Sequence, residues 1–389
     1  MSDRKIELSV VMPCLNEADT LATCIEKAQK AMEEHQICGE IIVSDNGSTD
    51  GSREIAEKLG ARLIHAPERG YGNALMYGIE AARGKYILMG DADDSYDFLE
   101  LPKFVDKLRE GYDLVQGCRL PRGGGKVLPG AMPFTHRWFG NPMFSFLARV
   151  MFHSPIHDIY CGMRGFTPEW YARLGQRCTG MEFATEMIIK SSLMGARITE
   201  VPITLHPDGR KQHEPHLRTL RDGWRTLRFF MIFCPKWLFL APGMLLFLLG
   251  LLGYAVVIPT ALSTPNQLGI PFLVCSSLLM IMGYQAVLFS FLANAFAAGE
   301  AFIPVDPLFL KIFRGLPIEK GLPIGLGIFL LGMALLIIIT IRWLAGGMQP
   351  LGYDQTIRWI MPGFVLSALG FQTIMSGFFI SILGLRRKV

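Results

Sequence analysis

Two carboxylates one residue apart, Asp91-Ala92-Asp93, follow the short apolar run Tyr86–Met89 and precede Asp94 and Ser95. Side by side at a strand end, such charges repel, and an oxygen-ligating divalent cation removes the cost. Magnesium keeps several of its waters and bridges one or two carboxylates to phosphate oxygens, so the natural ligand of the pair is a diphosphate that leaves with the metal's help. Two more polar clusters have the same setting. Pro13-Cys14-Leu15-Asn16-Glu17 follows the β-rich run Glu7–Met12, and Asp45-Asn46-Gly47-Ser48-Thr49-Asp50 follows Glu40–Ser44. Each alone has a structural use, since Asn16, Ser48 or Asp50 can cap a helix and Gly47 can serve a turn. A fourth segment, Arg69-Gly70-Tyr71-Gly72-Asn73, has glycines that let backbone approach a ligand just before a helix N-terminus, a place suited to anions.

The elements that must hold these clusters alternate. Strands are predicted at 7–12, 40–44, 61–65, 86–89 and 113–117, and helices at 18–32, 50–59, 73–82 and 99–108. That order implies an α/β domain with a mainly parallel sheet and helices on both faces. Ligands of such sheets bind beyond the carboxyl ends of the strands, where the three polar clusters fall together.

Composition divides the chain in two. Of 389 residues, 50% are hydrophobic and 19% charged. Sixty of the 72 Asp, Glu, Lys and Arg residues precede Trp237, 30 of each sign, and all eight histidines precede Leu217. The net charge of +4 therefore arises in the C-terminal part, and a basic nucleic-acid-binding protein is excluded. From Trp237 to Gly299 there are 63 residues without a formal charge. One helix needs roughly 20 apolar residues to cross a bilayer. Four transmembrane helices are expected at about 238–258, 272–296, 321–341 and 359–385. Lys311, Arg314 and Lys320 lie between the second and third, and Arg386, Arg387 and Lys388 end the chain, which places both termini in the cytosol. Met1–Glu7 is polar and the next apolar run is broken by Pro13 and Asn16, so no cleavable signal is expected. The eight cysteines form no CxxC pair and read as reduced structural thiols. Between the halves, Leu217, Leu220, Trp224, Leu227 and Met231 recur at helical spacing beside Arg218, Arg221, Arg225 and Arg228, the pattern of a helix lying in the headgroup layer. The expected organisation is a cytosolic domain at 1–212, an interfacial helix region at 213–236 and a membrane domain at 237–389.

Val10–Glu17, Asp45–Gly51, Arg69–Ala74 and Asp91–Asp94 together resemble family 2 glycosyltransferases with a GT-A (Rossmann-like) fold. Asp158–Phe166, Glu182–Glu186 and Glu200–Ile203 resemble the polyprenyl-phosphate branch of that family, which contains dolichyl-phosphate mannose and glucose synthases and bacterial undecaprenyl counterparts. The resemblance implies inverting transfer of a hexose from a UDP- or GDP-sugar to a polyprenyl phosphate at the cytosolic face of a bacterial inner membrane or an endoplasmic reticulum membrane. It implies that Pro13, Leu15, Asn16, Glu17, Asp45, Asn46, Gly47, Arg69, Gly72, Asn73 and Ala92 line the nucleotide-sugar site, and that Asp91 and Asp93 hold Mg2+ or Mn2+. Many members have Asp where Asn46 stands, and some have Gln where Ser95 stands, so the third metal ligand is left open among Ser95, Asp94 and water.

A polyprenyl phosphate is anionic near neutral pH, so positioning and charge stabilisation, rather than a strong base, should dominate such a reaction. Two phosphorylated substrates call for cations. Arg119, Arg122 and Lys126 flank the Gly123–Gly125 loop over the donor, and Arg164, Arg210, Lys211 and Arg218 are placed to meet the lipid phosphate, with Arg164 counted with Asp91 and Asp93 as catalytic. Glu182 and Glu186 sit at helical spacing and orient the acceptor or cap structure; His136, His153 and His157 form no triad. Two other functions compete. Gln355-Thr356-Ile357-Arg358-Trp359 matches the QxxRW motif of processive polysaccharide synthases but falls on the outer face, where Trp359 serves as an interface anchor. A catalytically inactive scaffold or lipid translocator is disfavoured by the intact carboxylate pair. Homo-oligomerisation is left open.

Overall fold

The computed structural model describes residues 6–210, 219–263, 269–299, 311, 318–348 and 353–384. The chain forms two compact units, Met1–Phe230 and Met231–Val389.

In the first unit the chain runs β1 (Leu8–Cys14), α1 (Leu21–Glu34), β2 (Gly39–Asp45), α2 (Ser52–Lys58), β3 (Arg62–His65), α3 (Tyr71–Glu80) and β4 (Tyr86–Met89). It continues through α4 (Leu101–Arg109), β5 (Leu114–Cys118), β6 (Lys126–Val127), α5 (Asn141–Phe152), β7 (Arg164–Phe166), α6 (Pro168–Leu174), α7 (Glu182–Leu193), β8 (Ile198–Pro202) and β9 (Thr204–Leu205), and ends within α8 (Thr219–Phe233), whose last three residues belong to the second unit. Seven strands form one sheet in the order β3-β2-β1-β4-β7-β5-β8. All its pairings are parallel except those of β7, which runs antiparallel between β4 and β5. The alternation of the sequence reveals β1 to β5 but misses the parallel edge strand β8 and the antiparallel β7, whose three residues, Arg-Gly-Phe, carry no period. The central strands are continuous apolar runs, as covering on both faces requires. Helix α1 buries Leu21, Cys24, Ile25, Ala28, Ala31 and Met32 at three- and four-residue intervals, and α4 does the same with Leu101, Phe104, Val105 and Leu108.

Helix boundaries shift where side chains claim the backbone. The helix predicted from residue 18 begins at Leu21, because Glu17 N and Ala18 N donate to Ser52 Oγ and Asp50 Oδ2, both 2.9 Å. In α8, Leu217 and Arg218 lie outside the described residues. Trp224 is exposed, whereas Phe230 and Phe233 are buried, Phe230 packed edge-on against Phe144 and Phe152. The expected stripe omitted Phe230.

Among the described residues, the second unit contains four long apolar helices, α9 (Ala241–Ser263), α10 (Gly269–Gly299), α11 (Ile318–Ala345) and α12 (Tyr353–Gly384). Their membrane-length stretches are Lys236–Ile258, Gly269–Ala297, Gly321–Ala345 and Thr356–Leu383. Small residues set the contacts. A Cβ on Gly283 would lie 2.4 Å from Phe247 N, and one on Gly370 2.3 Å from Phe329 N. Tyr284 Oη and Thr373 Oγ1 lie 2.6 Å apart and join α10 to α12.

Candidate active site

The loops after β1 and β2 are laced into one surface. Asn16, in a left-handed conformation (φ 59°), donates its backbone N–H to Ser48 Oγ and accepts from Thr49 N through Oδ1, both at 2.9 Å. Asp45 is almost wholly buried and serves its own loop. Its carboxylate accepts from Ser48 N at 3.0 Å, Gly47 N at 3.2 Å and Arg53 Nε at 2.6 Å. Burial works to raise its pKa, but the Ser48, Arg53 and Gly47 hydrogen bonds outweigh burial and hold it below the usual value. Leu15 projects from the same turn with 49% of its surface exposed.

Asn46 uses both atoms of its amide. Its Nδ2 donates to Ala66 O (3.1 Å) and Glu68 O (2.6 Å), while Oδ1 accepts from Gly70 N (2.8 Å). A carboxylate there would face two carbonyl oxygens. The residue fastens the 66–70 segment to β2. The glycines of that segment also have a different task from the one expected. A Cβ on Gly70 would lie 2.4 Å from Thr179 O, and one on Gly72 2.3 Å from Cys178 O. They make room for the 178–180 backbone, to which Asn73 N donates at Thr179 O (3.2 Å), rather than for a ligand. Asn73 Nδ2 donates to Arg69 O (3.1 Å), and the Arg69 side chain is exposed.

The carboxylate pair lies at the carboxyl end of β4. Tyr71 Oη donates to Asp91 Oδ1 at 2.8 Å, a contact that sequence reasoning missed, since the tyrosine was read only as part of a glycine loop. Ser95 N and Oγ donate to Asp93 Oδ1 at 3.1 and 2.6 Å. Burial first, and the Asp93 charge second, push the Asp91 carboxyl up to about 6. Ala92 is buried, and its carbonyl accepts from Thr20 Oγ1 at 2.6 Å. Both side chains expected as a third metal ligand already have partners within the chain. Asp94 is paired with Lys27 at 2.7 Å, and the Ser95 hydroxyl is spent orienting Asp93. Among the described residues, no group of three His, Cys, Asp or Glu side chains could hold a metal. Asp93 Oδ2 instead faces a cation of the protein itself: an Arg210 Nη atom lies 3.8 Å away, and the same guanidinium is forked on Glu17.

The other expected cations divide. Arg119 is not a loop cation. It is buried against Asp158, with its backbone N, Nε and one Nη donating at 3.0, 2.7 and 2.9 Å. Arg164 is fully buried in β7 and donates to Ala184 O and Cys161 O, and burial lowers its pKa. It braces α7 and the Asp158–Cys161 turn rather than reaching a lipid phosphate. Arg122 and Lys126 are exposed as expected. Lys211 and Arg218 lie outside the described residues. Glu186 is structural: buried against Lys190 at 2.6 Å, it accepts from Arg177 N and Cys178 N. Glu182 pairs with Arg225 of α8 at 2.6 Å.

A further surface was not foreseen. Phe134, Trp138, Phe139, Met143, Phe146 and Val150, on and just before α5, are all exposed. The signal was present as an apolar spacing of three and four residues, but it resembles a core helix until burial is known.

A doubly covered sheet, polar loops at its carboxyl edge and a carboxylate pair after β4 define a nucleotide-dependent transferase of the GT-A type, and the comparisons agree. Residues 9–175 match Glycosyl transferase family 2, and residues 292–384 match the Glycosyltransferase family 2 C-terminal transmembrane region. The chain is 36% identical over 390 residues to the low-salt glycan biosynthesis hexosyltransferase Agl6 of Haloferax volcanii, covering 98% of this chain and 90% of that protein. It is 32% identical to a dolichyl-phosphate hexose transferase of the same organism, over 51% of this chain and 82% of the relative. A solved glucosyl-3-phosphoglycerate synthase from Mycobacterium tuberculosis, in complex with Mn2+, UDP and its product, aligns with a TM-score of 0.43 at 20% identity, over 58% of this chain and 77% of that one. The chain belongs to glycosyltransferase family 2. It is a membrane glycosyltransferase with a GT-A domain and a C-terminal transmembrane region.

Proposed function

We propose that the protein transfers one hexose from a UDP- or GDP-sugar to a polyprenyl phosphate at the cytosolic membrane face, with inversion and with the help of Mg2+ or Mn2+. The observation that carries this reading is the Asp91–Asp93 pair at the carboxyl end of β4, with one oxygen of each carboxylate fixed by a hydrogen bond and Asp93 Oδ2 facing a cation of the chain at 3.8 Å; burial first, and the Asp93 charge second, raise the Asp91 carboxyl. The residues fit a divalent ion: each carboxylate has one oxygen committed to a hydrogen bond, from Tyr71 or Ser95, which fixes the other. With two protein ligands, the rest of the coordination shell falls to diphosphate oxygens and water, as magnesium prefers. When bound, the ion supplies positive charge to the departing diphosphate.

The chain's own residues supply position. Exposed Leu15 offers an apolar surface to the base, and Asn16, Glu17, Asp45, Asn46 and Gly47 shape the pocket around it. Exposed Arg69 frames the side nearer the sugar, while Gly72, Asn73 and Ala92 act behind it, holding the backbone of that side in place. In the transfer, a phosphate oxygen of the lipid attacks the anomeric carbon, a new C–O bond forms, and the electron pair of the old one leaves with the nucleotide diphosphate. The acceptor carries its negative charge already, so no base has to remove a proton. Arg122 and Lys126 are exposed cations suited to the acceptor phosphate; Lys211 and Arg218 are proposed for the same task from sequence. The exposed apolar face of α5 and exposed Trp224 suit a lipid surface. The cytosolic orientation rests on the basic residues after the second span and at the C-terminus. The name of the dolichyl-phosphate hexose transferase relative supports the class of acceptor.

A membrane assay with polyprenyl phosphate and a panel of labelled UDP- and GDP-sugars tests the reading. One donor should give label extractable with the lipid and absent in Asp93→Asn. Label in a lipid-free polymer would favour a processive synthase, and transfer retained by Asp93→Asn would remove the carboxylate pair from the reaction.

A further inference from the structure

Arg210 sits where a cation is called for. Its Nε donates to Glu17 Oε2 at 2.8 Å, and an Nη atom closes the fork on Glu17 Oε1. That same Nη lies 3.8 Å from Asp93 Oδ2. Asp208 steadies the arginine from below, accepting from Arg210 N at 2.9 Å and from its other Nη at 3.2 Å. The placement is built into the backbone. Gly209 N donates to Asp93 O at 3.1 Å, and a Cβ on Gly209 would lie 2.9 Å from Thr20 Cγ2, so the 208–210 segment rests directly on the carboxylate turn. Glu17 is 7% exposed, and the Arg210 side chain 25% exposed.

We propose that Arg210 is an internal counter-ion that occupies the cation position between Glu17 and Asp93 until a nucleotide diphosphate arrives, so that the chain binds a divalent ion tightly only together with its nucleotide. The proposal rests on reading Asp91 and Asp93 as the metal-holding pair. A guanidinium beside Asp93 Oδ2 opposes any second cation at that oxygen. A diphosphate reverses the balance, because its charge offsets both cations and offers the arginine fork a bidentate partner in place of Glu17. Arg210 then changes partner from carboxylate to phosphate, and binding acquires an order: the nucleotide and the metal enter together. A purely structural Glu17–Arg210 pair would leave metal affinity indifferent to the nucleotide.

The test is Mn2+ binding to the purified full-length protein, followed by the paramagnetic resonance of free Mn2+. Mn2+ is supplied alone, with UDP and with GDP. The wild type should bind Mn2+ weakly alone and more tightly with one of the nucleotides. Arg210→Gln should bind Mn2+ alone about tenfold or more tightly than the wild type, since one adjacent charge ordinarily shifts an ionic equilibrium by about one to three decades. Arg210→Lys keeps the charge and should keep the wild-type pattern. Adding Asp93→Asn should abolish the binding in every background. Equal affinity of wild type and Arg210→Gln for Mn2+ alone, with both affinities lost on Asp93→Asn, overturns the counter-ion proposal and leaves the carboxylate reading standing. Nucleotide-dependent Mn2+ binding that survives Asp93→Asn overturns the carboxylate reading and this proposal with it. Tight nucleotide-free Mn2+ binding by the wild type overturns the proposal however the variants fold.

Discussion

Asp91→Asn should make the unloaded protein more stable while it destroys activity. Burial and the Asp93 charge push the Asp91 carboxyl from its ordinary 3.8 up to about 6. An acid whose folded-state pKa lies above its unfolded one costs stability wherever it is ionised. The cost is absent well below pH 3.8, grows between 3.8 and about 6, and is complete above that. At about 1.4 kcal/mol per tenfold displacement of a protonation equilibrium, its ceiling is about 3 kcal/mol. Partial solvent contact of Asp91 and the weaker hydrogen bond from Tyr71 to a neutral amide reduce the gain to about 1–2 kcal/mol. For a unit of this size that corresponds to a rise in Tm of about 2–8 °C. The assay is thermal unfolding of the detergent-solubilised full-length protein with a chelator, at pH 7.5 and pH 4, beside glycosyl transfer at pH 7.5. The asparagine variant should melt higher at pH 7.5, lose most of that advantage at pH 4, and transfer no sugar. A variant that melts lower at pH 7.5, or gains equally at both pH values, refutes the account of a carboxylate pair held together against its own repulsion.

Other perturbations separate supporting residues from reacting ones. Asp158→Ala strands buried Arg119 without its carboxylate and should cost about 3–5 kcal/mol, read as a large fall in Tm, whereas Arg122→Ala should leave Tm nearly unchanged and weaken acceptor use. Gly72→Ala forces a methyl against Cys178 O at 2.3 Å and should lower both Tm and transfer, whereas alanine at Gly47 meets nothing within 4 Å, carries only the strain of a φ of 99° and should lower Tm less. Asn46→Asp places a carboxylate against Ala66 O and Glu68 O and should destabilise by about 1–3 kcal/mol, measurable in denaturant unfolding.

Strands β1 to β5 and the four apolar helices were legible because their signals are long: apolar strands alternate with amphipathic helices, and 63 residues pass without a charge. The carboxyl-edge clusters were legible because Asp91, Asp93, Asn16 and Asp45 follow strands directly. What escaped was whatever depends on a partner distant in sequence. Arg119 and Arg164 look like free cations until Asp158 and the carbonyls of Cys161 and Ala184 are beside them. Gly70 and Gly72 look like a phosphate cradle until the 178–180 backbone fills that space. Tyr71 acquires a role only when α3 brings it to Asp91. Arg210 stands 193 residues from Glu17, and no local pattern joins them.

The central claim, one hexose moved to one lipid phosphate, is tested most directly by mass spectrometry of the product made by purified, reconstituted protein from a polyprenyl phosphate and the donor it accepts. A lipid monophosphate carrying a single hexose, formed with one equivalent of nucleoside diphosphate and absent with Asp93→Asn, is the result predicted. A lipid-free polymer, a lipid carrying several sugars, or nucleotide release without any glycosylated lipid would contradict it.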